Sequence, residues 1–207
     1  MSSKRLKRVL QDSNSSKAMQ SLATDTELMK TNERLSEEVS VLRLRILELE
    51  QTANTDPLIP IYNRRALLRE VRRAQAVKER YDIPSTLIFF DLNNFKAVND
   101  KYGHRIGDSL LTQIGSELNT AIRDCDMVAR LGGDEFGVLL FKTDEEVARL
   151  KAATLSCRIS EQSVLFPEVR ISVTACWGVA GCDPELSVEQ ILDRADRAMY
   201  LDKRRQG

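Results

Sequence analysis

Histidine is nearly absent from this 207-residue chain, with His104 the only one, which excludes a histidine-rich metal centre. The four cysteines (Cys125, Cys157, Cys176 and Cys182) form no C-x-x-C pair. They read as reduced thiols rather than a disulfide frame or a zinc site. Neither sign of charge is in excess, since Lys+Arg and Asp+Glu both number 31. That balance points away from a protein that wraps nucleic acid or coats a membrane. No run approaches the roughly 20 apolar residues of a membrane span. The N-terminus, MSSKRLKRVLQDSNSS, lacks the apolar core of a signal peptide. The expectation is a cytoplasmic protein with no membrane span and no nucleic-acid partner.

What is present is ordinary for a soluble chain: 42% hydrophobic and 30% charged residues. The length suits one domain of about 150 residues with an extension, large enough to keep a core without disulfides. Residues 1–25 form a polar segment, Ser/Asn-rich at 13–16, with a short basic amphipathic piece at Lys4 to Leu10 that reads as a solvated tail. From residue 26 to 55 the pattern changes. Leu28, Asn32, Leu35, Val39, Leu42, Ile46, Leu49 and Ala53 alternate at spacings of four and three, the seam of a left-handed coiled coil. Leucines at d, β-branched Val39 and Ile46 at a, and one Asn at a favour a parallel, in-register dimer. Glu38 faces Arg43 and Arg45 faces Glu50 of a partner helix in that register, pairs that select orientation rather than supply stability. A single amphipathic helix packed on its own domain is the simpler alternative.

Asp56-Pro57 and Pro60 end this helix. Beyond it, the patterning predicts a helix over 64–79, a strand over 86–90 ending at Asp91, and a polar loop bearing Lys96. A helix over about 107–123 follows, then strands over 127–130 and 136–141 joined by a tight Gly132-Gly133-Asp134 turn. A helix over 144–160, a strand over about 170–180 and a helix over 187–204 close the chain. Helices on a sheet with a central hairpin suggest an α+β sandwich over 56–207.

The candidate chemistry is acidic. Asp91 ends an apolar strand, and Asp134 and Glu135 occupy the hairpin turn. Carboxylates beside a core are costly unless they face a cation or a cleft. If the two strands are neighbours, three carboxylates converge, and an all-oxygen cluster suits Mg²⁺ bridging to phosphate. A solvent-facing acidic turn is the plain alternative. In the segment from Asp91 to Asp108, backbone N–H groups and the Lys96 ammonium could cradle a triphosphate. One Asp and one Asn (Asp108 and Asn99) match the donors and acceptors of guanine, whereas adenine would leave the Asp unpaired.

Several spaced motifs then coincide. Arg130-x-Gly132-Gly133-Asp134-Glu135-Phe136 is followed by an apolar strand. Phe95-Lys96, Asn99-Asp100, Gly103-His104 and Gly107-Asp108 stand in one run. Asn63-Arg64-Arg65 precedes it, and Ala195-Asp196, Ala198, Tyr200 and Lys203 close the chain. From about Asp56 to Lys203 the sequence resembles the GGDEF domain of diguanylate cyclases. The resemblance implies a nucleotidyl-cyclase, polymerase-palm-like sandwich, with a central, mainly antiparallel sheet flanked by helices and preceded by a long coiled-coil helix. It implies condensation of two GTP into cyclic di-GMP and two pyrophosphates between two domains of a homodimer. Asp91, the backbone carbonyl of Leu92, Asp134 and Glu135 would hold two Mg²⁺, for which Mn²⁺ could substitute. Asp134, Glu135 and Lys96 would serve catalysis. Asn99, His104, Asp108, Phe95 and Lys203 would bind substrate, Lys96 and Lys203 at its phosphates. Arg123 and Asp126 match the family's R-x-x-D inhibitory site for the product.

The chain departs from the family at three places. Asn93 stands where a second Asp is common, Pro60 replaces a glycine of the joint, and the terminal G-R is missing. A catalytically inactive domain that binds cyclic di-GMP as an effector is the alternative, which the intact Asp91, Asp134, Glu135, Asn99 and Asp108 argue against. An adenine-using cyclase and a coiled-coil interaction protein with an inert domain are further alternatives, opposed by Asp108 and by the intact site respectively.

Overall fold

A computed structural model describes residues 29, 31–32, 34–45, 53–166 and 169–206. The chain divides into two units, Met1–Gln51 and Thr52–Gly207. In the first, residues 34–45 form helix α1, on which the seam residues Leu35, Val39 and Leu42 are exposed. The polar segment 1–25, the seam positions Leu28, Ile46 and Leu49, and Glu50 of the second expected ion pair lie outside the described residues. Among the described residues no helix is long and apolar enough to cross a membrane.

The second unit is built on a five-stranded sheet in the order β1-β3-β4-β2-β7. Its strands are β1 (Tyr62–Asn63), β2 (Ser85–Leu92), β3 (Met127–Gly132), β4 (Glu135–Phe141) and β7 (Ala175–Gly181). Only the β1–β3 pair is parallel; β3–β4, β4–β2 and β2–β7 are antiparallel. The sheet is therefore mainly antiparallel, as expected. Strand β2, paired on both sides and almost wholly buried, uses both its faces. Ile88, Phe90 and Leu92 belong to one apolar cluster with α4 (His104–Thr120) and α5 (Glu145–Glu161). Leu87 and Phe89 belong to a second cluster, with α2 (Arg64–Tyr81) and α6 (Val188–Gln206). Period-two alternation along the strand divides the domain into three layers. A fully buried side chain such as Phe90 contributes about 1.5–3 kcal/mol to holding them together.

Local signals set the helix ends. The Asn63 side chain accepts from the Ala66 N–H at 3.0 Å and Asp144 from the Val147 N–H at 2.9 Å. Ser187 and Gln190 form a reciprocal capping box at the start of α6, at 2.8 and 3.1 Å.

Two expectations need correction. The polar loop over Lys96 is helical: α3 (Phe95–Tyr102) follows β2 after two residues, and α4 starts at His104 rather than near Gly107. Phe95 and Val98 give α3 an apolar stripe over the core, short enough to hide in a polar run. The single strand over 170–180 is instead a separate hairpin, β5 (Val164–Phe166) with β6 (Val169–Ile171), followed by β7.

Helix α6 lies unusually close to the sheet. A Cβ on Gly178 would sit 2.1 Å from the Ala195 carbonyl oxygen and 2.2 Å from the Met199 nitrogen, both α6 backbone. Gly178→Ala is expected to destabilise the domain by about 1–3 kcal/mol or more through overpacking. Chemical denaturation checks this, and an unchanged midpoint would contradict the close approach.

Candidate active site

The register of the sheet assembles the acidic cluster. In the β2–β4 pair Asp91 stands directly opposite Glu135, and in the β2–β7 pair it stands opposite Cys176. Alternation from Leu87 and Phe89 puts Asp91 on the face covered by α2 and α6, at the end of that layer. The Gly-Gly-Asp-Glu turn is stitched to the same place: the Leu92 N–H donates to the Asp134 carbonyl at 3.2 Å. Gly133 adopts φ +48°, the left-handed conformation that its lack of a Cβ permits.

Arg130 holds this turn. Its Nε and Nη2 donate to the Gly133 carbonyl at 3.0 and 2.8 Å, and its Nη1 reaches Asp56 Oδ1 at 3.3 Å. The same Asp56 oxygen accepts from the Leu58 and Ile59 N–H groups at 3.0 Å each. Both partners are largely buried, so this pair is screened far less than an exposed one. The sequence marked Arg130 as a motif residue without assigning this clamp, because its two partners are far apart in the chain.

Like charges accumulate here. The Glu135 carboxyl is pushed above the usual glutamate range by burial first, then by Asp91, Asp134 and Asp196, with Arg64 opposing. Arg64 and Asp196 stood in quoted motifs but carried no expected role. The first cation in the cluster is Lys203, whose Nζ lies 2.5 Å from Asp91 Oδ1. The Lys203 ammonium is held more firmly protonated by that bond. Among the described residues no three His, Cys, Asp or Glu side chains form a ready-made metal cage. The facing Asp91 and Glu135 offer carboxylate oxygens, the donors a hard divalent cation takes. Asn93, at the position of the usual second Asp, is committed elsewhere. Its amide donates to Thr174 Oγ1 at 2.9 Å and accepts from Cys176 Sγ at 3.3 Å.

Apart from Lys203 on α6, the expected nucleotide-binding residues sit on the two helices that follow β2. Asn99 of α3 carries a buried Oδ1 with no hydrogen-bond partner. A Cβ on Gly107 would lie 2.0 Å from that oxygen, so the glycine admits the amide between α3 and α4. An orphaned buried polar atom is costly and calls for a partner. Asp108, His104 and Lys96 are exposed, whereas Phe95 is a core residue that packs beneath Gly107. Arg123 is exposed, but both Asp126 oxygens serve the backbone. Oδ2 accepts from the Arg123 N–H at 3.3 Å and Oδ1 from the Phe141 N–H at 3.0 Å.

The family described as "Diguanylate cyclase, GGDEF domain" matches residues 53–207. Diguanylate cyclase DgcP of Pseudomonas aeruginosa is 32% identical over 177 residues, covering 86% of this chain and 26% of that protein. A diguanylate cyclase of Vibrio cholerae is 34% identical over 158 residues, covering 76% of this chain and 49% of that protein. The chain thus spans between about a quarter and a half of these relatives' lengths. The solved coiled coil and GGDEF domain of DgcB from Caulobacter crescentus, in complex with c-di-GMP, superposes with a TM-score of 0.77. It is 26% identical, with 86% of this chain and 94% of that one covered. SiaD of Pseudomonas aeruginosa, a diguanylate cyclase solved with its activator SiaC, gives a TM-score of 0.71 at 29% identity, with 97% and 81% covered.

Glu135 generates a stability prediction. Its folded pKa lies above its unfolded one, so the fold favours the protonated form, and that stability is lost as pH rises through the folded value. Metal-free Glu135→Gln is therefore expected to melt higher than wild type at neutral pH, with the gap closing below the ordinary glutamate range. Paired melting curves across pH check this; equal melting points at neutral pH contradict it.

Proposed function

Because the chain belongs to the GGDEF domain family, we propose that it is a diguanylate cyclase, condensing two GTP into cyclic di-GMP and two pyrophosphates. The observation that carries the reading is the pairing of Asp91 with Glu135 across β2 and β4, beside the turn that holds Asp134. The buried, unpartnered Oδ1 of Asn99 supports guanine as the base. The Asn99 amide can present either terminal atom to guanine, and Asp108 supplies an acceptor for the N1–H and N2–H₂ donors.

In the reaction each 3′-oxygen attacks the α-phosphorus of the other GTP, forming a new ester bond and displacing pyrophosphate. Asp91, the Leu92 carbonyl, Asp134 and Glu135 are the residues that would hold two Mg²⁺. When bound, these ions lower the pKa of the attacking hydroxyl and neutralise charge that develops on the phosphates. Asp134 accepts the 3′-hydroxyl proton. Asn99 and Asp108 fix the base, and Lys96 and Lys203 bind the phosphates. Arg130 keeps the turn rigid, so that its carboxylates need no reorganisation during the reaction.

One domain binds one GTP, so the product requires two domains face to face. The heptad seam from Leu28 to Ala53, with its Asn32, supports a parallel coiled-coil homodimer over residues 26–55 that joins catalytic domains comprising 56–207. Such a tether raises the effective concentration of one site near the other to about the millimolar range. Arg123, exposed beside Asp126, is proposed to bind product at an inhibitory site.

Purified protein given GTP and Mg²⁺ should yield cyclic di-GMP and pyrophosphate by chromatography and mass. Glu135→Gln should reduce the rate at least about a hundredfold, the scale of losing electrostatic stabilisation at developing charge. Unconsumed GTP at every protein concentration would overturn the reading in favour of a cyclic di-GMP-binding effector. Arg123→Ala is expected to leave initial turnover intact and to abolish slowing by added cyclic di-GMP. An unchanged inhibition curve would remove Arg123 from that site.

A further inference from the structure

The acidic cluster has a cation of its own, and where that cation sits has consequences for how substrate enters. Lys203 lies in the last turns of α6, and the seating of α6 on Gly178 fixes the helix against β7. From there its Nζ reaches 2.5 Å from Asp91 Oδ1, while the side chain as a whole remains 45% exposed. The head group can therefore swing away without disturbing the core, whereas Asp91, on a strand paired on both sides, cannot follow it. Removing that ammonium would take away the cation bonded to Asp91 and leave the repulsion among Asp91, Asp134 and Glu135 less opposed.

We propose that Lys203 is the resident counter-ion of Asp91, that a divalent cation must displace it to reach this carboxylate, and that the displaced ammonium is taken up by the triphosphate. The inference rests on the reading of the carboxylate cluster as a divalent-metal site. A divalent cation on the Asp91 oxygen would repel the ammonium bonded there, and its three N–H donors are the kind a phosphate accepts. A cation arriving alone must leave Lys203 unpaired beside it. A cation arriving with a nucleotide provides the lysine with a new anion. Metal and nucleotide therefore bind each other's state of the site, and the coupling is reciprocal. Lys203 acts here as a positioning residue that disfavours metal without substrate.

The test is Mn²⁺ binding to the full chain, read by electron paramagnetic resonance. It is made without nucleotide and with a GTP analogue whose α,β-bridging oxygen is a methylene. In wild type the analogue should tighten Mn²⁺ binding. Lys203→Met should bind Mn²⁺ about two- to fivefold tighter than wild type without nucleotide, the scale of losing one partly exposed ion pair, and the analogue should add less. Lys203→Arg, which keeps a cation against Asp91, should bind Mn²⁺ no tighter than wild type and serves as the control for folding. Lys203→Met binding Mn²⁺ no better than wild type without nucleotide, or Lys203→Arg behaving like Lys203→Met, overturns the counter-ion role and leaves the metal site standing. Wild type taking up no Mn²⁺ even with the analogue overturns both.

Discussion

The antiparallel register of β2 against β4 is the constraint on which the rest of this domain depends. Seven consecutive pairs, from Ser85 with Phe141 to Asp91 with Glu135, run without interruption. Shifting a strand by one residue exchanges its faces. Here a shift would turn Ile88, Phe90 and Leu92 out of their cluster and send Asp91 into it. The apolar residues therefore specify the register, and the carboxylates at its end inherit their position. Packing in the interior is how the fold places two acids opposite each other with little freedom to move.

That placement opposes stability. Burial and three neighbouring carboxylates push Glu135 toward its neutral form, Arg64 opposes that push, and Lys203 is bonded to Asp91. The cost is tolerated because the surroundings over-determine the turn. Arg130 bonds the Gly133 carbonyl twice, Leu92 bonds the Asp134 carbonyl, and Asp56 ties Arg130 to the first residues of the domain. Accumulated like charge on a rigid frame is a common cost of functional sites.

Much of the fold was readable because its signals are local. Alternation in 86–90 and the Gly-Gly turn act within a few residues, and β2, β3 and β4 lie where they were expected. The elements that were misread lack such signals. Helix α3 is eight residues long with a mixed surface, and its N-cap residue, Asn94, makes no side-chain capping bond. The β5–β6 hairpin is two strands of three residues each. Segments so short are stabilised by what they pack on, and that partner is not written in their own sequence.

The same division holds for the site. The types of residue and their spacing were legible in the chain: acids at strand ends, an Asn and an Asp on what proved to be successive helices, a lysine near the terminus. Those follow from chemistry that any such site requires, and they identify the family. The partners came only with the tertiary structure: Asp91 with Lys203, Arg130 with Asp56 and Gly133, Asn93 with Thr174 and Cys176, and Asp126 with the Phe141 backbone. Asp91 and Lys203 are 112 positions apart and Arg130 and Asp56 are 74. Sheet order and the close seating of α6 on Gly178 bring such pairs within bonding distance. Local sequence governs torsions and caps; contacts between distant residues exist only once the layers have packed.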